Sequence, residues 1–311
     1  MNETLNLNEI FTPEKLKEFQ SKLQAELPKI QAQVETMAKE VKPITSEPRV
    51  RVLADSLSPT GKRLTTLECI FWRPILPELN THRVFSRNTR SSRAVPVDNL
   101  IAEIKKSPWG PCEWGVNQRG MVAKELITDK SQLDLCKYTW YHSAILASQM
   151  AKALADIGVH KQVVNRLLEP YICAYTVLSS TEWDNFFNLR LANDAQPEMR
   201  VLAQKIEEAM NASNPEQLTE SDWHLPYITK EEKEIFSKVD CCKMSAARCA
   251  RVSYKCFDGS VSPEEDLKLY QKLVENKHFS ALEHVATPAV DSYIQSNFRG
   301  WNQLRKFEDY L

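Results

Sequence analysis

The scarcity of glycine constrains the folds open to this chain more than any other feature. Only seven glycines occur in 311 residues, and none of them falls in a GxGxxG or a GxxxxGK[ST] pattern. Rossmann and P-loop folds need such glycines, because a residue without a side chain lets the backbone turn tightly and approach a phosphate. We therefore do not expect a Rossmann or P-loop phosphate site in this chain.

The charge balance argues against a further class of function. The chain has 40 Lys and Arg residues against 41 Asp and Glu, a formal net charge of -1, and 42% apolar residues. The apolar share suffices for one large core or two modest ones. A nearly neutral protein lacks the basic surface that wraps a long polyanion, so we expect no extended nucleic acid as a partner. A pocket for a single phosphate remains compatible with this balance.

Targeting and metal signals are missing from the sequence. It contains no run of 18 apolar residues and no basic segment followed by an apolar one at residues 1–10, so we expect no membrane partner and a cytoplasmic location. The cysteines are then expected to be reduced thiols. Four of them cluster without the CxxC spacing that zinc favours, so we predict no metal site. They are Cys241, Cys242, Cys249 and Cys256.

Local patterns predict an α+β protein with a mixed sheet and long helices. Residues 63–72, RLTTLECIFW, are rich in β-branched and aromatic residues and predict a strand. Helices are predicted within residues 12–41, 138–168, 182–211 and 263–276, with breaks at proline or glycine. The predicted apolar face of the second helical region consists of Ile145, Leu146, Met150, Leu154 and Ile157. We expect an N-terminal helical arm over residues 1–60 and one large domain over residues 61–311.

The stretch ELNTHRVFSRNTRSSR, residues 78–93, contains four arginines and only one acidic residue. In a helix, Arg83, Arg87 and Arg90 would share one face. Arginine forks match phosphate and carboxylate oxygens, and hydroxyl and amide groups fix orientation. The stretch therefore suits a phosphorylated small molecule or an anionic cofactor. On these residues alone, a solvated basic surface is the alternative interpretation.

A longer sequence pattern favours a ligand-binding site over a solvated basic surface. THRVFSRNTRSSR resembles the RHRxxSxNxxSxR signature of the flavin-dependent thymidylate synthases. The positions in register are His82, Arg83, Ser86, Asn88, Ser91 and Arg93. GVHKQVVNRLLEP, at 158–170, is similar to a family helix and has Arg166 in the arginine place. NFFNLRLANDAQPEMR, at 185–200, resembles a further family segment and contributes Asn185 and Arg190.

Two remaining segments resemble the family but stand in an unusual order. ARVSY at 250–254 and HFSALEH at 278–284 resemble segments that precede the arginine signature in family members, whereas here they follow it. The chain therefore resembles a circularly permuted, divergent member, which is possible when the original termini are close together. This interpretation predicts that His284 lies beside residues 83–93. NFRGWNQLRK, at 297–306, is also similar to a family segment and contains Gln303.

The chain also departs from the family pattern. Thr81 replaces the first arginine of RHR, and Glu78 stands where a nucleotide-contacting glutamine is usual. The other departures are Thr89 for Glu, Ala94 for Tyr, Asp194 for His, and Ala281 and Leu282 for Pro-Phe. These changes affect the flavin site and the choice of base more than the phosphate-binding arginines.

The resemblance implies an activity, cofactors and an assembly. It implies transfer of a one-carbon unit from methylenetetrahydrofolate to C5 of the pyrimidine deoxynucleotide monophosphate dUMP, which yields dTMP. FAD would be the cofactor, and NADPH would be the reductant. Residues 61–311 would be the catalytic domain, and the family's homotetramer, with active sites built from several chains, would be the assembly.

The resemblance further implies roles for individual residues. Arg190 and Ser91 would be catalytic, because Arg190 would stabilise charge that develops on the pyrimidine ring. The nucleotide would be bound by Ser91, Arg93, Arg166, Arg190 and Gln303. The flavin would be bound by His82, Arg83, Asn88, Asn185 and His284.

Two other functions remain open from the sequence. One is a related flavin and folate enzyme that modifies C5 of another pyrimidine nucleotide such as dCMP, for which Glu78 and Thr89 leave room. The other is a non-enzymatic nucleotide- or RNA-binding relative that has kept the arginines and lost the flavin. The colour and visible spectrum of the purified protein separate this relative from either enzyme.

Overall fold

A five-stranded mixed sheet lies at the centre of the computed structural model, which describes residues 43–253, 261–289 and 294–309. The strands are β1 (Arg49–Leu57), β2 (Arg63–Trp72), β3 (Ser86–Thr89), β4 (Cys173–Ser180), β5 (Glu216–Gln217), β6 (Ala286–Pro288), β7 (Ile294–Gln295), β8 (Phe298–Arg299) and β9 (Trp301–Gln303). The large sheet has the order β3–β4–β2–β1–β5, and β6 pairs with β9 and β7 with β8. Strand β5 runs parallel to β1 and the other neighbours are antiparallel. The predicted α+β class with a mixed sheet is confirmed.

Ten α-helices surround the sheet within the described part of the chain. They are α1 (Leu76–Leu79), α2 (Val97–Lys106), α3 (Lys130–Asp156), α4 (Lys161–Val164), α5 (Asp184–Arg190), α6 (Pro197–Asn211), α7 (Lys230–Ile235), α8 (Lys238–Arg251), α9 (Pro263–Glu275) and α10 (Leu304–Asp309). Four short 3-10 helices complete the elements: Arg73–Ile75, Ser92–Ala94, Asn165–Tyr171 and Phe279–His284. None of the helices described is long and apolar enough to cross a membrane.

The two faces of the sheet are covered by different parts of the chain. Alternate residues of a strand point to opposite faces, so Leu67, Cys69 and Phe71 of β2 share one face. They pack with the aromatic residues of α5 and the apolar side of α6. Val177 of β4 lies on the second face and packs against Cys249 of α8. The C-terminal third of the chain therefore covers the face that the middle of the chain leaves open.

Strand β2 occupies the centre of the sheet, as its composition predicts. Its bounds are those predicted for residues 63–72, and it pairs with β1 on one side and β4 on the other. The register places Thr66 opposite Ser179, and Ser179 opposite Ser86. Three hydroxyl residues on neighbouring strands therefore lie in one row across the sheet.

The long helix α3 begins earlier than predicted and buries a different face. Asp129 caps its N-terminus by accepting a hydrogen bond from the backbone N–H of Gln132, and Gly158, with φ of 90°, lies just beyond its end. Small residues face α2 and the 3-10 helix Asn165–Tyr171, where a close approach is needed. On the apolar face named from the sequence, the exposed fractions are 56% for Leu146, 50% for Met150 and 77% for Ile157. The apolar spacing of these three residues therefore does not mark the side of the helix that the chain buries.

The arginine-rich stretch does not form the helix that would align its arginines. Residues 78–79 end α1, and the four residues of β3 pair with β4. Arg87 therefore lies on the opposite face of the sheet from Ser86 and Asn88. The pairing with β4 overrides the weak strand propensity of this polar segment.

The helix predicted for residues 12–41 lies outside the described residues. The division predicted at residue 60 remains a prediction, although β1, on its N-terminal side, pairs with β2 in the sheet. Helix α9 begins as predicted, because the backbone N–H of Glu265 donates to the Ser262 hydroxyl at 3.4 Å. It is held to α8 by Asp266, whose two carboxylate oxygens accept from Arg248 and Arg251, both at 2.8 Å.

Candidate functional site

Three segments that are distant in sequence meet in one groove of about 430 Å³. Asn88 comes from β3, Ala250 and Ser253 from the ARVSY segment, and Ser280 and Ala281 from the HFSALEH segment. The backbone N–H of Ser91 also donates to the Ser253 carbonyl at 3.4 Å. The cationic residues at the rim are Lys277 and Arg305. The groove therefore combines hydroxyl, amide and cationic groups.

His284 connects the groove to the interior of the protein. It is fully buried, its Nδ1 lies 2.8 Å from the Ser179 hydroxyl, and its Nε2 lies 3.2 Å from the Asn88 amide. Burial lowers the pKa of His284 to about 3, so the ring is neutral near neutral pH. The predicted proximity of His284 to residues 83–93 is confirmed. Its contacts are those of a core histidine that orients Asn88.

Gln303 is also buried beneath the signature, with 1% of its surface exposed. Its side-chain amide donates to the Ser86 hydroxyl at 3.1 Å and to the Glu283 carbonyl at 3.0 Å. Both amide hydrogens are thus bound within the chain. In this conformation Gln303 stabilises β3 through its hydrogen bond to Ser86. A contact between Gln303 and a nucleotide remains a prediction.

A second group of predicted residues centres on Arg190, at the end of α5. Its guanidinium group forms an ion pair with Glu78, donates to His82 Nε2 at 2.9 Å and lies 3.3 Å from the Thr81 hydroxyl. Burial and the charges of Arg190 and Arg87 lower the pKa of His82 to about 4. His82 is therefore neutral near neutral pH, which leaves Nε2 free to accept from Arg190.

His82 is fixed by aromatic rings as well as by Arg190. Its ring stacks on Phe85 with centroids 5.5 Å apart and meets Phe186 edge-on at 5.0 Å. Only 6% of the residue is exposed. These contacts hold Arg190 in one orientation at the edge of the aromatic core.

Two arginines of the signature, Arg87 and Arg90, bind groups of the same chain. Arg90 is 8% exposed and binds both carboxylate oxygens of Glu103, at 3.0 and 2.9 Å. Its guanidinium carbon also lies 4.3 Å from the centroid of the Tyr175 ring. Arg87 donates to the backbone carbonyls of His82 and Phe85, at 3.3 and 2.9 Å. Burial and the nearby charge of Arg83 lower the pKa of Arg87.

A third group contains Ser91, Arg93 and Arg166, on or beside two neighbouring 3-10 helices. The buried amide of Asn165 joins these helices by donating to the carbonyls of Ser92 and Val95, at 2.7 and 3.0 Å. Arg93 and Arg166 are both exposed. Within the described residues, neither of their guanidinium groups has a hydrogen bond or an ion pair.

The predicted site residues thus fall into three groups within one chain. In the first group Asn88 lines the groove, and His284 and Gln303 are buried residues that bond to Asn88 and to Ser86 of β3. The second group consists of Arg190, His82 and Asn185, which is exposed on the same helix as Arg190. The third group consists of Ser91 and the two exposed arginines. Arg83 is exposed near Arg87. The hydrogen bond from Ser91 to Ser253 joins the third group to the groove, but among the described residues no hydrogen bond or ion pair joins the groove to Arg190.

Sequence reasoning missed several residues that the structure places at the site. Ser253, Ser280 and Arg305 line the groove, and their positions inside the family-like segments were the available signal. His224 and Thr66 bind each other beneath the groove, at 2.7 Å. No sequence pattern connects these two residues, which lie 158 positions apart.

Comparison with known proteins identifies the family. The family model described as Thymidylate synthase complementing protein, Thy1, matches residues 57–216, which is just over half of the chain. No curated protein matches the chain. The chain therefore belongs to the Thy1 family, that of the flavin-dependent thymidylate synthases, as the signature predicts.

Solved structures similar to this chain include two kinds of enzyme. A UMP/dUMP methylase PolB from Streptomyces cacaoi, bound with 5-Br UMP, has 14% sequence identity and a TM-score of 0.43, and the match covers 54% of this chain and 90% of that chain. A flavin dependent thymidylate synthase ThyX from Helicobacter pylori, complexed with FAD and dUMP, has 21% identity and a TM-score of 0.32, with 47% and 67% covered. The ARVSY and HFSALEH segments lie outside the residues that the family model matches.

Proposed function

We propose that this protein is an FAD-dependent enzyme that methylates C5 of dUMP, with methylenetetrahydrofolate as the one-carbon donor and NADPH as the reductant. The observation that carries the proposal is the convergence at the groove. Signature residue Asn88, Ser253 and Ser280 come from segments far apart in sequence, yet they line one cavity. If the arginines of the signature served only as surface charge, no ligand would require these three segments to line one cavity.

The exposed arginines support a phosphate site. Arg93 and Arg166 have guanidinium groups that no described side chain neutralises, and Ser91, two residues before Arg93 in the sequence, adds a hydroxyl. Arginine binds phosphate through two parallel, charge-assisted hydrogen bonds. In the proposed enzyme these residues bind and orient the nucleotide's 5′-phosphate.

Arg190 supports the proposed chemistry at the base. Its guanidinium group is oriented by His82 and Glu78 before any ligand arrives. A preoriented cation stabilises negative charge that develops on a pyrimidine ring as C5 becomes nucleophilic. Arg190 is therefore the residue to which we assign charge stabilisation, with Ser91 assisting at the nucleotide.

The donor set of the groove fits an anionic flavin nucleotide. Asn88 and Ser280 offer amide and hydroxyl groups, and Lys277 and Arg305 lie at the rim. We assign flavin binding to Asn88 and exposed Arg83 directly, to His284 through Asn88, and to His82 and Asn185 beside Arg190. When bound, reduced FAD supplies the hydride for the transferred carbon.

Several chains are proposed to complete each active site, because no hydrogen bond or ion pair among the described residues joins Arg190 to the groove. Leu146, Met150 and Ile157 recur along one exposed side of α3, and exposed Val163 and Leu167 flank Arg166. A second copy packed on this apolar surface would bury it and bring another chain to Arg166. We propose the homotetramer of the family as the assembly.

Glu78 favours a second candidate substrate. A carboxylate only accepts hydrogen bonds, and it stands where a glutamine, which can also donate, is usual. The amino group at C4 of cytosine is a donor, whereas the oxygen at C4 of uracil is an acceptor. A related enzyme that acts on dCMP is therefore the alternative.

Release of label from C5 of the base tests the proposal. Purified protein is incubated with FAD, NADPH, methylenetetrahydrofolate and C5-labelled dUMP or dCMP in parallel. Release from dUMP is the expected result, and release from dCMP alone would replace the first substrate by the second. A colourless protein that does not bind FAD and does not release label from dUMP or dCMP would contradict both enzyme proposals. The remaining interpretation would then be a nucleotide- or RNA-binding protein.

Size-exclusion chromatography tests the assembly separately. Met150→Glu places a charge on the apolar side of α3 and should shift the protein to a smaller species. Met121→Glu is the matched control, because Met121 is fully exposed outside that surface. A parent that elutes as a monomer would contradict the assembly.

A further inference from the structure

A chain of buried hydrogen bonds crosses the second face of the sheet and ends at the groove. Its members, from the groove inward, are Asn88, His284, Ser179, Thr66, His224 and Ser56. The successive distances are 3.2, 2.8, 2.6, 2.7 and 2.9 Å. We call this chain the histidine relay. His224 and Ser179 are 1% and 0% exposed, so water does not compete for these bonds.

Each link of the relay contains one proton. A serine or threonine hydroxyl has a single hydrogen, and a neutral imidazole has one N–H and one bare nitrogen. Burial lowers the pKa of His224 and of His284 to about 3, so both rings are neutral near neutral pH. Because Ser179 and Thr66 each have one proton, a hydroxyl that donates to one neighbour must accept from the other.

This constraint leaves two proton arrangements for the whole relay. If His284 donates from Nε2 to the Asn88 oxygen, then Ser179 donates to His284 Nδ1, Thr66 donates to Ser179, and His224 donates from Nε2 to Thr66. Both histidines then carry their proton on Nε2. If the Asn88 nitrogen donates to His284 Nε2, every bond is reversed, and both histidines carry their proton on Nδ1. Any mixed arrangement leaves one link with two buried acceptors and no proton between them, or one link with two protons, and both are costly.

The surroundings of Asn88 select one of these arrangements. With its nitrogen towards His284, the amide nitrogen also lies 3.2 Å from the Arg87 carbonyl and 3.1 Å from the Ser280 carbonyl, so its two hydrogens are shared among three acceptors. Its oxygen then accepts from the Ser280 hydroxyl at 3.2 Å. In the reverse orientation the amide oxygen would face two carbonyl oxygens, which repel it. Asn88 therefore turns its oxygen to Ser280 and the groove.

We propose that His224 is a positioning residue that acts on Asn88 through the relay. With Ser56 as its partner, His224 fixes the tautomer of His284, and that tautomer fixes which end of the Asn88 amide faces the groove. The groove then presents a hydrogen-bond acceptor to its ligand, which suits a ring imide N–H such as that of an isoalloxazine. His224 lies outside the residues matched by the family model. The use of the relay in flavin binding rests on the proposed function.

Nitrogen-15 NMR of histidine-labelled protein tests the coupling directly. The chain has six histidines, and His224→Gln and His284→Gln assign the two signals. In the parent near neutral pH, both rings are expected to carry the proton on Nδ1. Protons on different nitrogens in the two rings would overturn the proposal, and so would protons on Nε2 in both.

A distant substitution tests whether His224 acts on the groove. Ser56→Ala removes the acceptor for the His224 Nδ1 proton, so the relay should reverse and His284 should move its proton to Nε2. Ser58→Ala is the matched control, because the Ser58 hydroxyl is buried but bonds to Thr60 and Lys62 instead. If His284 keeps its tautomer in Ser56→Ala, the proposal is overturned.

Quenching of FAD fluorescence provides the functional readout. Losing the selected orientation of one amide should raise the Kd for FAD about threefold to tenfold in Ser56→Ala, with no change in Ser58→Ala. Equal Kd values in the parent and both variants would overturn the role in binding. If the parent binds no FAD, the proposed function fails, and the two NMR results still decide the coupling.

Discussion

Arg90 and Arg93 lie three residues apart in one signature, yet one is part of the fold and the other is exposed. Arg90 is held by Glu103 and the Tyr175 ring, whereas Arg93 has no described partner. The HFSALEH segment repeats this contrast. His284 is fully buried and bonded at both ring nitrogens, and His278 is exposed at the groove.

The contrast separates two uses of the same residue type. Arg90 binds Glu103 through both of its terminal nitrogens, so it cannot offer its fork to a ligand. An exposed arginine contributes little to folding but retains its full binding capacity. Each signature therefore contains inner residues that fix the backbone and outer residues that are available to a ligand.

The largest expected effect is on stability, from Arg90→Ala. This change removes the buried partner of Glu103 and the contact with the Tyr175 ring, so we expect the free energy of unfolding to fall by about 2–4 kcal/mol. Arg93→Ala should change it by less than about 0.5 kcal/mol. Urea unfolding of both variants measures the difference. Equal losses in the two variants would contradict the division into inner and outer arginines.

Arg93→Ala should instead weaken nucleotide binding. A charge-assisted fork to phosphate is worth roughly 1.5–3 kcal/mol per bond, so the Kd for dUMP should rise about tenfold to a hundredfold. The Kd for deoxyuridine, which has no phosphate, should stay the same. Calorimetry with both ligands measures this. Arg119→Ala, at an exposed arginine outside the signature, is the control, and a matching loss there would remove the assignment.

Much of the fold follows from local signals in the sequence. The β-branched and aromatic composition of residues 63–72 predicted β2, and the helical signals at residues 263–276 predicted α9. The break before Pro197 was also correctly predicted, since α6 begins at that proline. Each of these signals depends on a few consecutive residues and needs no tertiary partner.

The features that the sequence did not predict depend on partners. Which side of α3 is buried is decided by how closely α2 approaches, so small Ala144 and Ala151 face inward and large Leu146 and Met150 stay exposed. Strand β3 has a polar sequence and is stabilised by β4, which lies more than 80 residues away. Periodicity within one segment cannot detect either effect.

The candidate site divides in the same way. Spacing within the signature named Asn88 and Arg93 as candidate site residues, because a motif records residues that are close in sequence. It could not find the partners beneath them. Glu103, Thr66 and His224 belong to separate elements, and only folding brings them to the residues they hold.

The two histidines of HFSALEH should differ in their effect on acid stability. Burial lowers the pKa of His284 to about 3, below the value of about 6.5 for an unfolded histidine, so between these values the unfolded chain binds more protons. Stability from this group is complete above about pH 6.5 and is lost as the pH falls towards 3. The expected slope is up to about 1.4 kcal/mol per pH unit.

Urea unfolding between pH 7.5 and about 5 measures this slope. In His284→Gln the slope should decrease by the contribution of one histidine. His278→Gln, at the exposed histidine six positions earlier, is the matched control and should keep the slope of the parent. Parallel pH profiles for the parent and His284→Gln would contradict the assignment of His284 as a neutral core residue.

The smallest expected effect is on the choice of base, from Glu78→Gln. Glu78 forms an ion pair with Arg190 and can only accept hydrogen bonds, whereas glutamine can donate to the C4 oxygen of uracil. One such hydrogen bond is worth about 0.5–1.5 kcal/mol, so the ratio of kcat/KM for dUMP to that for dCMP should rise about twofold to tenfold. Release of label from C5 of each nucleotide measures the ratio. Glu113→Gln is the matched control, because Glu113 pairs with Arg200 at 2.8 Å outside the signature, and that change should leave the ratio at its parent value. A ratio that does not move in Glu78→Gln would mean that this carboxylate only orients Arg190 and does not read the base.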